Sequence, residues 1–154
     1  MIPIKNLTEL STNFIDDPKF ESKLRKKYLG AAAGSEKFYI NIDYIKPGGK
    51  SSKYHSHSRQ EEFFAVLKGN GLLRINNKNI EAKTNDFIAK PAGKEIAHQF
   101  VNNSDEILII LDCGTKDDND KVYYPDEDVT FKKKEKIAYK NGKPIYNWSS
   151  DPNE

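Results

Sequence analysis

The sequence has few of the residues that usually hold metals or form cross-links: one cysteine and three histidines among 154 residues. A single cysteine excludes an internal disulfide, and a reducing compartment fits. Cys113 follows Leu111 and precedes Gly114 at the end of an apolar run, which marks it as a small buried hydrophobe rather than a nucleophile. Excess charge is also scarce. Lysine and arginine number 25 against 23 acids, a net charge of +2, which gives no warrant for a nucleic-acid partner. The run Lys132-Lys133-Lys134 is followed by Glu135 and preceded by Asp126-Glu127-Asp128, so it reads as a solvated, charge-compensated surface. Long apolar runs are missing, and Met1 to Leu10 contains no signal-peptide core. No membrane partner and a cytoplasmic location are therefore expected. The length suits one domain with a proper hydrophobic core.

What is present changes character along the chain. Pro3 and Ser11-Thr12 break up the first segment. Pro18 to Leu29 then reads as a short helix, capped by Asp16 or Asp17 and stopped by Gly30, with Phe20, Leu24 and Tyr28 on one face. Ala31 to Gly34 is a small-residue connector. From Phe38 the period becomes that of strands. Residues 37–113 hold about eight short strands with turns every eight to twelve residues, the pattern of an all-β sandwich or barrel. Asn76 to Asn79 is a hairpin signal, and Pro91-Ala92-Gly93 stops a strand. Beyond Gly114 a second hairpin signal, Asn141-Gly142, separates two strand-like pieces. Pro144 confines the later piece to an edge, and Trp148 is a candidate anchor. Residues 1–35 thus form an N-terminal arm, 36–114 the barrel, and 115–154 an extension packing on it.

The chemistry centres on His55-Ser56-His57. Two histidines one residue apart share a face only on an extended strand. Imidazole nitrogen together with carboxylate oxygen suits a divalent transition ion such as iron, manganese, nickel or zinc. Glu61 and Glu62 follow, and adjacent strand residues face opposite ways, so only one of them can join the histidines. Alone, a His-x-His pair more often simply faces solvent, and a lone His98 more often packs in the fold.

Spacing adds to this. Gly49-x5-His55-x-His57-x4-Glu62-x6-Gly69 resembles the first motif of the cupin superfamily, and Pro91-x-Gly93-x4-His98-x3-Asn102 resembles the second. The ending, with Tyr123-Tyr124-Pro125-Asp126 and Lys140-Asn141-Gly142-Lys143-Pro144, is similar to that of small single-domain bacterial cupins of unassigned reaction. The resemblance implies a double-stranded β-helix (jelly-roll) barrel, often dimeric. It also implies metal ligands at His55, His57, Glu62 and His98. Two departures stand out: Asn85 replaces the usual glycine, and the Gly93 to His98 gap is two residues longer than the common form.

With Glu62 inward, strand parity places Phe64 and Val66 beside it and turns Glu61, Phe63, Ala65 and Leu67 outward. Both faces are then apolar, which predicts that another element covers the outer one. Phe64 and Phe100 become candidate pocket walls. Arg74, Lys68, Tyr44 and Tyr54 read as solvent-exposed or packing residues. The expected function is binding of a small oxygen-bearing molecule, a sugar or organic acid, at a 3-His-1-Glu site. Catalysis of dioxygenase, isomerase or lyase type would follow; the alternative is a binding module without turnover. The expected partners are that small molecule and a second copy of the chain. Metal occupancy should fall as pH drops through about 6.5.

Overall fold

The computed structural model describes residue 2 and residues 4–150. Met1, Pro3 and residues 151–154, which the sequence assigns to the arm and the extension, lie outside the described residues. Among the described residues thirteen strands run in chain order: β1 (Leu24–Tyr28), β2 (Phe38–Ile45), β3 (Ser56–His57), β4 (Glu62–Lys68), β5 (Asn70–Ile75), β6 (Lys78–Lys83), β7 (Phe87–Lys90), β8 (His98–Val101), β9 (Leu108–Thr115), β10 (Lys121–Tyr124), β11 (Val129–Lys132), β12 (Ile137–Lys140) and β13 (Lys143–Ile145). They form three sheets in the orders β1-β2-β9-β4-β7, β13-β12-β11-β10-β3 and β6-β5-β8. The fold is an all-β double-stranded β-helix, with one four-residue helix, α1 (Leu29–Ala32), near the start.

The helix is not where periodicity placed it. Pro18 opens a turn, and Glu21 and Lys23 take left-handed backbone angles (φ 52° and 39°) that no helix tolerates. Leu24 to Tyr28 then pairs antiparallel with β2 along five residues. The shared face is therefore Leu24, Lys26 and Tyr28 at period two, and Lys26 rather than Phe20 points inward.

Turns follow the sequence closely. Asn76 and Asn77 (φ 46° and 61°) make the β5–β6 hairpin, and Asn141 and Gly142 (φ 51° and 71°) make the β12–β13 hairpin. Asn85 adopts φ 77°, so it does the work of the absent glycine. Pro144 sits in β13 at a sheet edge, where its missing N–H costs no ladder bond.

The main core lies between the first and third sheets. Leu24, Ile45, Val66, Leu73, Leu108 and Ile110 are buried there with Phe64 and Phe100. Each such side chain contributes about 1.5–3 kcal/mol on leaving water. A second cluster of Val122, Tyr124, Val129 and Ala138 holds the strands after Gly114 together, with Trp148 packed against it. Trp148 lies 4.7 Å from Tyr124 and donates its indole N–H to Glu127 at 2.6 Å.

The alternation on β4 is clear: Glu62, Phe64 and Val66 are buried. The outer face departs from expectation. Phe63 and Leu67 remain 37% and 46% exposed, and Phe87 beside them on edge strand β7 is 75% exposed. Among the described residues this part of the face is left open.

Candidate metal centre

His55 and β8 are joined by a reciprocal pair of backbone hydrogen bonds, His55 N to His98 O at 3.2 Å and His98 N to His55 O at 2.9 Å. This contact brings the two motifs face to face despite the longer Gly93 to His98 gap. Glu62 enters from the adjacent sheet. Ligand atoms of His55, Glu62 and His98 all lie within 4.8 Å of one another. His57 stands at the margin of that trio, its Nε2 3.3 Å from Glu62 Oε1. Phe64 flanks the cluster with its ring centroid 4.7 Å from that of His98, and Phe100 lies 5.4 Å beyond.

The hydrogen bonds fix which imidazole nitrogens face inward. His57 Nδ1 lies 2.6 Å from Asp120 Oδ2, and His55 Nδ1 lies 2.7 Å from the Lys53 carbonyl. Both partners accept only, so each Nδ1 donates its hydrogen. When each ring is neutral, its Nε2 lone pair is left for a cation, and the outer oxygen holds the ring in orientation. His98 Nδ1 is buried 3.7 Å from Glu62 Oε2 and has no hydrogen-bond partner. An orphaned buried nitrogen facing a carboxylate and two further imidazoles is the arrangement a divalent cation would satisfy, so the donor set fits the ion that the sequence implies.

Glu62 is tied on both sides. Lys90 Nζ, 3% exposed, meets Oε2 at 2.6 Å, while the Tyr39 hydroxyl donates to Oε1 at 3.1 Å. The Lys90 contact engages the far oxygen and leaves Oε1 facing His55 and His57. Tyr39 crosses strand β9 to reach Glu62 because Gly114 lies beneath it. A Cβ at that position would stand 2.7 Å from the Tyr39 ring and 2.9 Å from its hydroxyl.

Electrostatics divide the histidines. Burial lowers His55 well below the ordinary range and His98 to about 3, so both stay neutral. His57 goes the other way: burial alone would lower it, but its bonds to Asp120 and Glu62 raise it above 6.5. Glu62 is held well below the usual carboxylate range, since the His57 bond and the surrounding imidazoles outweigh its burial. A cation entering the site competes mainly with one proton, that of His57. Apparent affinity should therefore rise about tenfold per pH unit up to the His57 pKa and level off above it. The bend lies above 6.5, higher than the free-histidine value that the sequence suggests. A competition titration with a chelator across this range checks it, and a bend at or below 6.5 contradicts it.

Asp120 and Lys90 gave no signal in the sequence. Asp120 ends an acidic loop that reads as solvent, yet it is 1% exposed and also accepts from Arg59 N at 2.8 Å. Lys133, read as part of a solvated run, reaches Asp120 at 2.9 Å and lines the pocket. β10 brings this region in by pairing Val122 with His57. Tyr39, Asn41 and Asp43 did leave a trace, as polar residues alternating with Ile40 and Ile42, but polar alternation normally marks a solvent face. Of the other residues considered, Arg74 forms a forked pair with Asp126 at 2.6 and 2.8 Å and stacks on Tyr54, outside the pocket.

Residues 42–114 match the family model described as a cupin domain. A provisionally assigned sugar phosphate isomerase from Acidithiobacillus ferrooxidans superposes with a TM-score of 0.68 and 31% identity, over 79% of this chain and 74% of that one. This chain belongs to the cupin superfamily. A sugar phosphate isomerase of the cupin superfamily from Silicibacter pomeroyi superposes equally well (TM-score 0.68, 30% identity, 79% and 74% coverage). An uncharacterized protein of Methanocaldococcus jannaschii is 33% identical over 70 residues, 46% of this chain. The chain spans 54% of the length of that curated relative. No helix among the described residues is long and apolar enough to cross a membrane.

Proposed function

We propose that this cupin holds a divalent first-row ion between His55, His57, Glu62 and His98, binds a small sugar or related hydroxy acid on it, and isomerises that ligand. The observation that carries the reading is the pocket. Its volume is about 350 Å³, and the histidine and glutamate cluster shares it with Asn41, Ser51, Ser52 and Gln60. Amide and hydroxyl groups set against the rings of Phe64 and Phe100 suit a ligand with many oxygens and a carbon backbone. Two relatives about 30% identical that carry the name sugar phosphate isomerase support the choice among cupin reactions. When bound, the ion supplies Lewis acidity toward a carbonyl oxygen. The chain's own part is to orient the imidazoles through Asp120 and the Lys53 carbonyl, and to hold Glu62 through Lys90 and Tyr39.

Calorimetry with free and phosphorylated pentoses and hexoses tests this. Binding is expected in the metal-loaded protein and lost after chelation. Equal binding in both forms, or none in either, overturns it.

A second copy of the chain is the partner we assign to the open face of β4 and β7. Phe63 and Phe87 stack there with centroids 6.1 Å apart while largely exposed. Phe87→Asp should shift the sedimenting species from dimer to monomer. A wild-type monomer at all concentrations contradicts the dimer.

A further inference from the structure

The pocket has a second charged wall that the histidine cluster does not use. Lys26 Nζ lies 3.3 Å from Asp43 Oδ2 and 3.5 Å from Asp112 Oδ2. These residues meet by sheet register. Lys26 pairs with Asp43 across β1 and β2, and Asn41 pairs with Asp112 across β2 and β9. All four line the same cavity as His55, Glu62 and His98.

Tyr39 lines the same cavity and ties it to the histidine cluster, its hydroxyl donating to Glu62 Oε1 at 3.1 Å. Asp112 faces the cavity from β9 with Oδ2 3.5 Å from Lys26 Nζ, while its Oδ1 is buried and has no hydrogen-bond partner. One oxygen is thus steadied by a cation and the other is left to accept a proton. Burial raises the Asp112 pKa, and Lys26 opposes this.

We infer that Asp112 is the acid–base residue of this pocket, moving a proton between adjacent carbons of an open-chain α-hydroxy-carbonyl sugar. The inference rests on the sugar reading above and deepens it. Asp112 carboxylate takes the hydrogen from the hydroxyl-bearing carbon. The C–H pair becomes the C=C bond of an enediol as the carbonyl pair moves onto its oxygen. The hydroxyl proton passes to that oxygen, and the other oxygen's pair forms the new carbonyl. The C=C pair then takes the proton back from Asp112 at the neighbouring carbon. Atoms and electrons balance without oxidant or reductant. Lys26 holds the Asp112 carboxylate between turnovers, and Asp43 shares the Lys26 charge.

The test uses full-length, metal-loaded protein in deuterated water with a panel of aldoses, ketoses and their monophosphates. Nuclear magnetic resonance follows deuterium entering the carbons beside the carbonyl, and calorimetry follows binding of the matching alditols, which cannot react. Wild type should exchange at least one sugar, and Asp112→Asn should lose at least about 100-fold in exchange rate while metal content and alditol affinity stay within about threefold. Asp112→Ser serves as the second variant if the amide disturbs folding. Exchange at the wild-type rate in a folded variant overturns the assignment. Alditol binding by wild type with no exchange also overturns it, but leaves the sugar reading intact. Failure of wild type to bind any alditol removes the sugar reading and this assignment with it.

Discussion

His98→Ala is expected to weaken divalent-ion binding by at least about 100-fold, because it deletes a proposed ligand, and removing even an outer hydrogen-bond partner typically costs 10–100-fold. The residue suits the experiment because its backbone, not its side chain, joins β8 to His55 through two hydrogen bonds. Those survive the substitution, so the fold should persist. Removing Nδ1 breaks no hydrogen bond, since that nitrogen has no partner in the protein. The signature is therefore a lost response to metal rather than general damage. An ion at one hundred times its dissociation constant stabilises the folded wild type by about 2.7 kcal/mol. Thermal unfolding should rise on adding manganese, nickel or zinc to wild type and stay flat for the variant. An equal rise in both would place the ion elsewhere.

The largest expected loss of stability lies at Asn102, outside the cluster. Its side chain is fully buried (0% exposed). Nδ2 donates to the Ile45 and Glu106 carbonyls, both at 2.7 Å, and Oδ1 accepts from Ser104 N at 3.0 Å and Ser104 Oγ at 2.8 Å. The amide thus pins the end of β2 to the loop between β8 and β9. Asn102→Ala removes all four bonds and strands the buried Ile45 carbonyl, whereas the exposed Glu106 carbonyl keeps Ser104 Oγ at 3.2 Å. The stranded group costs about 1–3 kcal/mol and the other lost bonds about 1 kcal/mol, so the variant should lose about 2–4 kcal/mol. Denaturant unfolding measures this, and a loss below about 1 kcal/mol would contradict the role. Because the same strands carry His98 and Tyr39, metal affinity should fall only in step with the folded fraction.

The residues that could be read in advance are those whose role is set by local geometry. That His55 and His57 share a face is legible from strand parity, while parity leaves Glu61 and Glu62 open and only the cupin-like spacing selects Glu62; the turns at Asn76-Asn77, Asn85 and Asn141-Gly142 are legible because left-handed backbone selects their residue types. The segment Leu24 to Tyr28 misled because Leu-Arg-Lys-Lys-Tyr has no strand signature of its own, and pairing with the free edge of β2 overrides local propensity. Asp120 and Lys90 were invisible for a different reason. Each is a charged residue in a stretch that reads as surface, and only the convergence of separate strands buries it beside a histidine or a glutamate. Asp112 sits at the end of Leu108 to Leu111, where a carboxylate after an apolar run looks like the strand's exit into solvent. The barrel instead turns it into the pocket, where Lys26 on β1 meets it.

Side chains from separate strands are proposed to converge on one cation, and equilibrium dialysis of chelator-stripped protein against manganese, nickel or zinc, followed by elemental analysis, measures that ion. About one ion per chain is expected, tightly retained near neutral pH and released by acid as His57 takes its proton back. Protein that emerges from dialysis with no stoichiometric ion, whichever metal is offered, would contradict it.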